Sequence, residues 1–185
     1  MKTIHFVTGN AGKMQEAKKL CEEAGIQVKQ AEYPYPELQC EDIEEIARYG
    51  ARDAANHLGK RVIVEDAGLF ISALNGFPGP YSSYVFRTLG NEGILKLMAG
   101  IKARKACFKS AVGYCEPNRE TVTFTGVVEG EIAREIKGER GFGYDSIFIH
   151  DGKTFGELTI EEKNEVSHRC KALKTFIEWF NTKDI

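Results

Sequence analysis

Ile4-His5-Phe6-Val7-Thr8-Gly9-Asn10-Ala11-Gly12-Lys13 decides how this chain folds. A short strand, Ile4 to Val7, runs into the turn Thr8-Gly9-Asn10. Met14, Ala17, Leu20, Cys21 and Ala24 then recur at helical spacing until Gly25 stops the helix. Outward from there, Ile26-Gln27-Val28 alternates as a strand and Tyr33-Pro34-Tyr35-Pro36 reads as a rigid loop. Ile43, Ile46, Ala47, Ala51, Ala54 and Leu58 mark a second helix closed by Gly59, and Val62-Ile63-Val64 is a buried strand. This β-α-β-α-β order predicts an α/β sheet with ligands gathered at the strand ends.

The second half changes character. Asn75 to Pro80 is a turn-rich loop, and Glu92 to Met98 reads as a short helix. Ala106 to Cys115 and Thr121 to Val128 read as a hairpin, Glu131 to Ile136 as a further strand, and Ile147-Phe148-Ile149 as another. Thr159 to Glu162 matches a helix-starting capping box. Leu173, Phe176, Ile177 and Phe180 give the last helix a buried stripe. With no repeat or linker visible, 1–185 is read as one domain of two lobes with a cleft between them.

The bulk composition limits the choice of partner. The 185 residues suffice for one substantial core, with 42% apolar residues and a formal net charge of −2. A general nucleic-acid binder would show a basic excess. No apolar run approaches the ~20 residues of a membrane span, and no signal peptide is apparent. The five cysteines form no C-x-x-C pair, so a reduced cytoplasmic compartment is expected and no zinc site is suggested.

Four segments carry groups suited to a nucleotide. Thr8 to Lys13 sits between a strand and a helix. There glycines admit a phosphate, the helix N-terminus offers N–H groups, and Lys13 adds charge. The same segment also reads as an ordinary helix start, with Asn10 as cap and Lys13 solvated. It is not a Walker A loop, because Val7 and Met14 replace the required Gly and Ser or Thr. Glu65 and Asp66 fall at the end of the β-branched run. Adjacent strand residues face opposite sides, so one of the two would face the cleft, to hold Mg²⁺ or take a proton from water. Alternatively they are surface carboxylates.

Gly141-Phe142-Gly143-Tyr144-Asp145 packs two glycines around two aromatics, which leaves a ring for a base or tucks the rings into the core. Ser167-His168-Arg169 lies between two helices. It offers a switchable hydrogen-bonding group and a planar fork of donors, or a plain surface pair. Glu37, beside Pro36, and Lys163 carry weaker signals.

Taken together, these segments resemble the inosine triphosphate pyrophosphatase family of house-cleaning nucleotide hydrolases. The resemblance rests on Thr8 to Lys13, Pro36-Glu37, Glu65 to Leu69, Gly76-Phe77-Pro78-Gly79, Gly141 to Asp145 and Ser167 to Arg169, in order over nearly the whole chain. Gly79 to Gly90 is most similar to archaeal and eukaryotic members.

The resemblance implies an elongated, two-lobed mixed sheet with flanking helices and a central cleft, assembled as a homodimer. It implies Mg²⁺-dependent conversion of ITP, dITP or XTP to the monophosphate and pyrophosphate. Thr8, Gly9, Asn10, Ala11, Gly12 and Lys13 would hold the triphosphate with Lys163. Glu37 and Asp66 would serve the metal, with Asp66 also the base. Phe142, Gly143, Tyr144 and Asp145 would hold the purine with His168 and Arg169.

Two positions depart from the pattern. Ala67 replaces a Ser or Thr that would contact substrate, leaving its backbone N–H, and Ser146 replaces a Pro, which should loosen the turn after Asp145. Two competing readings are a Maf-like pyrophosphatase acting on other bases and a non-catalytic nucleotide sensor. The Ser-His-Arg and Gly-Phe-Gly-Tyr-Asp segments argue against the first; Glu37 and Asp66 argue against the second.

Overall fold

The computed structural model describes residues 2–36 and 38–183. Its first half follows the expected alternation: β1 (Lys2–Val7), α1 (Ala11–Glu23), β2 (Ile26–Ala31), α2 (Ile43–Leu58) and β3 (Val62–Ile71). Local chemistry sets the boundaries. The Asn10 side chain caps α1 by accepting from the Lys13 N–H at 3.0 Å. Asp42 caps α2, and Gly59 ends it in the left-handed conformation that glycine adopts without strain.

The remaining elements are β4 (Pro78–Gly79), α3 (Ser82–Thr88), α4 (Gly90–Leu97), β5 (Lys105–Cys115), β6 (Val122–Ile132), β7 (Phe148–His150), β8 (Lys153–Thr154), α5 (Ile160–Val166) and α6 (His168–Asn181). Among the described residues they complete a mixed sheet of order β2-β1-β3-β5-β6-β7-β8, with β4 paired to β3. The predicted capping box is present at Thr159 and Glu162. No helix among the described residues is long and apolar enough to cross a membrane.

Three elements differ from the sequence reading. The strand expected at Val62-Ile63-Val64 runs on to Ile71, because β5 pairs with all ten of its residues. Glu65 and Asp66 therefore sit inside a strand rather than at its end. Of the strand expected at Glu131 to Ile136, only Glu131 and Ile132 are strand, as the end of β6, and Ala133 to Ile136 are not. The Arg104 guanidinium takes the carbonyls of Ile132 and Ala133, each at 2.6 Å, and so occupies acceptors a further ladder would need. Helix α3 was not anticipated.

The sheet places the site through β3. Since β5 occupies one edge of β3 throughout, β1 and β4 share the other. β1 reaches only Val62 and Ile63, and β4 only Leu69 and Phe70. The backbone between them, Val64 to Gly68, has no strand on that edge among the described residues and opens to the cleft. Gly68 is required where β4 closes in, since a Cβ there would lie 2.3 Å from the Gly79 carbonyl oxygen.

The two faces of β3 pack differently. Ile63 joins Ile4, Phe6, Phe176 and Phe180 under α1 and α6. Val62 and Val64 pack against Ala51, Ala54 and Ala55 of α2. A second large cluster, around Leu69, Phe108, Phe148 and Phe155, fills the other end of the molecule.

Candidate active site

A cavity of about 750 Å³ lies at the opening beside β3. Side-chain alternation sends Glu65 to the α1 and α6 face and Asp66 to the α2 face, yet both border the cavity, where only one was expected to, because the uncovered edge of β3 opens it to both faces. Thr8, Gly9, Asn10 and Lys13 form one wall; Phe142 to Asp145, Lys163, His168 and Arg169 form another. Ala67 also borders it. Ala11 and Gly12 do not, and Gly12 instead packs beneath Phe142. Glu37 falls outside the described residues. Tyr33 and Tyr35, from the preceding loop, line the cavity and pack with α2 on the Asp66 face.

Six charged side chains form one alternating chain along the wall. Lys13 Nζ meets Glu65 Oε2 at 2.7 Å, and Arg169 Nε donates to Glu65 Oε1 at 3.0 Å. Arg169 Nη1 then reaches Glu16 Oε2. Lys163 Nζ lies 2.8 Å from both Glu16 Oε1 and Asp145 Oδ2. Ser110 Oγ donates to Glu65 at 2.7 Å. Five of the six charges are almost wholly buried, Lys13 being the exception. Burial of a lone charge costs many kcal/mol, and here every buried charge lies against one of opposite sign.

The electrostatics follow that pairing. Burial pushes the Glu65 carboxyl up, yet Arg169 and Lys13 outweigh it and hold the group well below the usual carboxylate range. Burial likewise opposes Arg169 and Lys163 at Glu16, and the two cations win. Asp145 goes the other way. Burial raises it, and Lys163 only partly compensates because its single charge is shared with Glu16. His168 is driven well below its ordinary value by burial and by Arg169, so the imidazole is neutral. It stacks on Phe108 with ring centroids 4.5 Å apart, and its Nδ1 has no hydrogen bond to a described residue.

The Phe142 loop is built to hold a ring at the cavity. Gly141 and Gly143 take positive φ, and the Asp145 carboxylate accepts from the Phe142 N–H at 2.8 Å. Phe142 lies under the Lys163 ammonium at 4.7 Å and the Arg169 guanidinium at 5.3 Å, two cation–π contacts. The Tyr144 hydroxyl donates to the Ser82 carbonyl at 2.9 Å, so this ring packs into the fold rather than standing free. Ser146 was expected to loosen the turn. Instead its hydroxyl accepts from Asn91 Nδ2 at 2.9 Å, and the same amide donates to the Gly143 carbonyl at 3.1 Å.

Sequence reasoning thus named most of the wall but missed four contributors. Glu16 sits three residues after Lys13, on the same helical face, beside the buried Ala17. That spacing was the available signal. Ser110, Phe108 and Asn91 had none, because only strand register and helix packing bring them here.

The Ham1 family profile matches residues 4–179. This chain belongs to the Ham1 family. It is 60% identical over 179 residues to a dITP/XTP pyrophosphatase of Methanopyrus kandleri, covering 96% of this chain and 95% of that protein. It is 48% identical to a dITP/XTP pyrophosphatase of Pyrococcus horikoshii, covering 95% of each. Among solved structures, a HAM1 protein of Coxiella burnetii superposes with a TM-score of 0.86 at 31% identity, over 99% of this chain and 100% of that one. A nucleoside-triphosphatase / dITP/XTP pyrophosphatase from Mycobacterium abscessus gives 0.74 at 32% identity, over 94% and 98%. The resemblance drawn from the sequence motifs and the Ham1 membership agree.

Proposed function

We propose that this Ham1 chain hydrolyses deaminated purine nucleoside triphosphates, ITP, dITP and XTP, to the monophosphate and pyrophosphate. The observation that carries the reading is the single cavity joining the Thr8 to Lys13 loop, Asp66, Phe142 and His168. Relatives named dITP/XTP pyrophosphatases over nearly their whole length support it.

The roles follow from position. Thr8, Gly9 and Asn10 line the cavity at the head of α1, where backbone N–H groups and the helix dipole favour phosphate oxygens. Phe142 supplies a face for the purine. His168, neutral and with Nδ1 unpartnered, meets its polar edge beside Lys163 and Arg169. Donors aimed at a purine 6-keto oxygen would be left unpaired by the 6-amino group of ATP, which sets selectivity. Asp66 holds or deprotonates the water that attacks the α-phosphorus.

Among the described residues no three His, Cys, Asp or Glu side chains are grouped to hold an ion. Glu65 is committed to Lys13 and Arg169. Mg²⁺ characteristically takes one or two carboxylates with substrate phosphates supplying the rest; Asp66 fits that pattern, and Glu37, which lies outside the described residues, would be the second ligand by its place in the motif. Bound with the substrate, Mg²⁺ would neutralise phosphate charge and polarise the reacting phosphoryl group.

Two further properties belong to the same proposal. Tyr81, Tyr84, Leu89 and Leu97 are exposed at 42, 63, 47 and 46% around α3 and α4, an apolar face suited to a second copy in a homodimer. The five cysteines are free, which suits a cytoplasmic protein.

Chromatography of the products tests the reading. The expected result is inosine monophosphate and pyrophosphate from ITP, with dITP and XTP also preferred over ATP and GTP. Inosine diphosphate with orthophosphate, or equal turnover of ATP, would overturn it.

A further inference from the structure

The charge balance of the cavity leaves a question about its cations. Four Lys or Arg residues line it: Lys13, Arg87, Lys163 and Arg169. Lys13, Lys163 and Arg169 are matched by three carboxylates, Glu65, Glu16 and Asp145, in the alternating chain already described. That chain is close to neutral as a whole. A triphosphate brings roughly three to four negative charges, and neutralised cations attract it weakly. Among the described residues lining the cavity, Arg87 is the cation that forms no ion pair with a described carboxylate.

Its placement is specific. Ser82, Ser83, Phe86 and Arg87 all line the cavity. They form one stripe along α3, at positions i, i+1, i+4 and i+5. Tyr84 lies off that stripe and is 63% exposed. The stripe is fixed to the β3 segment that carries Asp66. Ser82 Oγ accepts from the Leu69 N–H at 2.8 Å and donates to the Gly79 carbonyl at 2.7 Å. Arg87 Nη1 donates to Ser83 Oγ at 3.0 Å, so one hydroxyl holds the guanidinium toward the cavity. Both residues are solvent-exposed, at the mouth, whereas Lys163, His168 and Arg169 are buried.

We propose that Arg87, oriented by Ser83, binds the outer phosphates of the substrate, those that leave as pyrophosphate. This rests on the triphosphate reading above and extends it. A guanidinium presents a planar fork that grips two phosphate oxygens at once. Exposed at the mouth, it meets phosphates that extend toward solvent rather than a base held at the buried His168 and Arg169. It therefore acts on triphosphate affinity and contributes nothing to holding the nucleoside monophosphate.

Calorimetry of the full chain with inorganic tripolyphosphate and Mg²⁺ tests the contact without a base. Arg87→Ala should weaken tripolyphosphate binding by about 10-fold, the lower end for a hydrogen bond to a charged group. Arg87→Lys should recover part of it, with binding of deoxyinosine monophosphate unchanged in both. With dITP, Arg87→Ala should raise KM by a similar factor while kcat stays within about threefold. Unchanged tripolyphosphate binding overturns the proposal. So does an equal loss for the monophosphate, which would mean a distorted pocket, or a wild-type chain that binds no tripolyphosphate. If wild type releases no pyrophosphate from dITP while Arg87→Ala still weakens tripolyphosphate, the triphosphatase reading fails and the Arg87 contact stands.

Discussion

The ring of Phe142 rests on Gly12. A Cβ at Gly12 would lie 2.5 Å from Phe142 Cδ1 and 2.6 Å from Cε1. Two segments 130 positions apart thus close on each other: the first turn of α1, next to the phosphate loop, and the aromatic loop after Gly141. Absence of a side chain at position 12 is what lets the ring lie there.

Gly12→Ala should therefore displace the Phe142 side chain rather than break the fold. Replacing glycine near a helix start gains up to ~1 kcal/mol of helix propensity, which offsets the local crowding. The expected outcome is a Tm within a few degrees of wild type and a KM for dITP raised several-fold, with tripolyphosphate affinity unchanged. Calorimetry with both ligands, beside a thermal melt, checks this. A KM equal to wild type would mean that the position of the ring against α1 does not matter to the base.

Asp66→Asn keeps the shape of the residue on the α2 face of β3 but removes its charge and basicity. With Asp66 as base, kcat should fall by ~10²-fold or more. Single-turnover kinetics with dITP at saturating Mg²⁺ give the number directly. Near-normal kcat would remove Asp66 from the chemistry.

Asn91 holds the aromatic loop from α4 through the Gly143 carbonyl and the Ser146 hydroxyl. Asn91→Ala removes a donor shared by two acceptors, at a cost of about 1–3 kcal/mol. The expected signature is weaker binding of deoxyinosine monophosphate, with tripolyphosphate unaffected, because the loop presents the base platform and not the phosphates. Asn91→Asp should behave like Asn91→Ala, since a carboxylate cannot donate to the Gly143 carbonyl. Equal monophosphate affinity in all three proteins would contradict a positioning role.

Acid should destabilise the protein in two stages. The folded-state value of His168 lies well below its ordinary 6.5, so the unfolded chain binds the proton first. Stability contributed by the neutral ring is present above about 6.5 and is lost as pH falls below it, by at most about 1.4 kcal/mol per pH unit. Glu16, held below its ordinary 4.5, adds a second loss below that value, since the unfolded carboxyl protonates first. Asp145 acts in the opposite sense, because its folded value is raised above 3.8. His5 is also lowered and contributes to the first stage, so a variant isolates the part due to His168. Thermal melts from pH 7.5 to 5 should show a shallower decline for His168→Gln than for wild type. Parallel curves would mean that His168 titrates as an exposed histidine does.

The sequence by itself determined the α/β class, the starts of α1 and α5 and the segments that supply much of the cavity wall. Those features depend on short-range physics: the period of apolar residues, the Asn10 and Thr159 caps, and glycines beside aromatics. It also determined that Glu65 and Asp66 part company, because strand alternation is local. The partners of those two carboxylates were decided only by tertiary structure. Glu65 faces Arg169 and Lys13 because α6 and α1 cover one side of β3, and Asp66 faces the α2 side. Whether Lys13 and Lys163 are solvated or paired was equally open in the sequence. The fold settled it: Glu65 accompanies the part-exposed Lys13, and Lys163 is buried, where an unpaired charge is so costly that Glu16 and Asp145 accompany it.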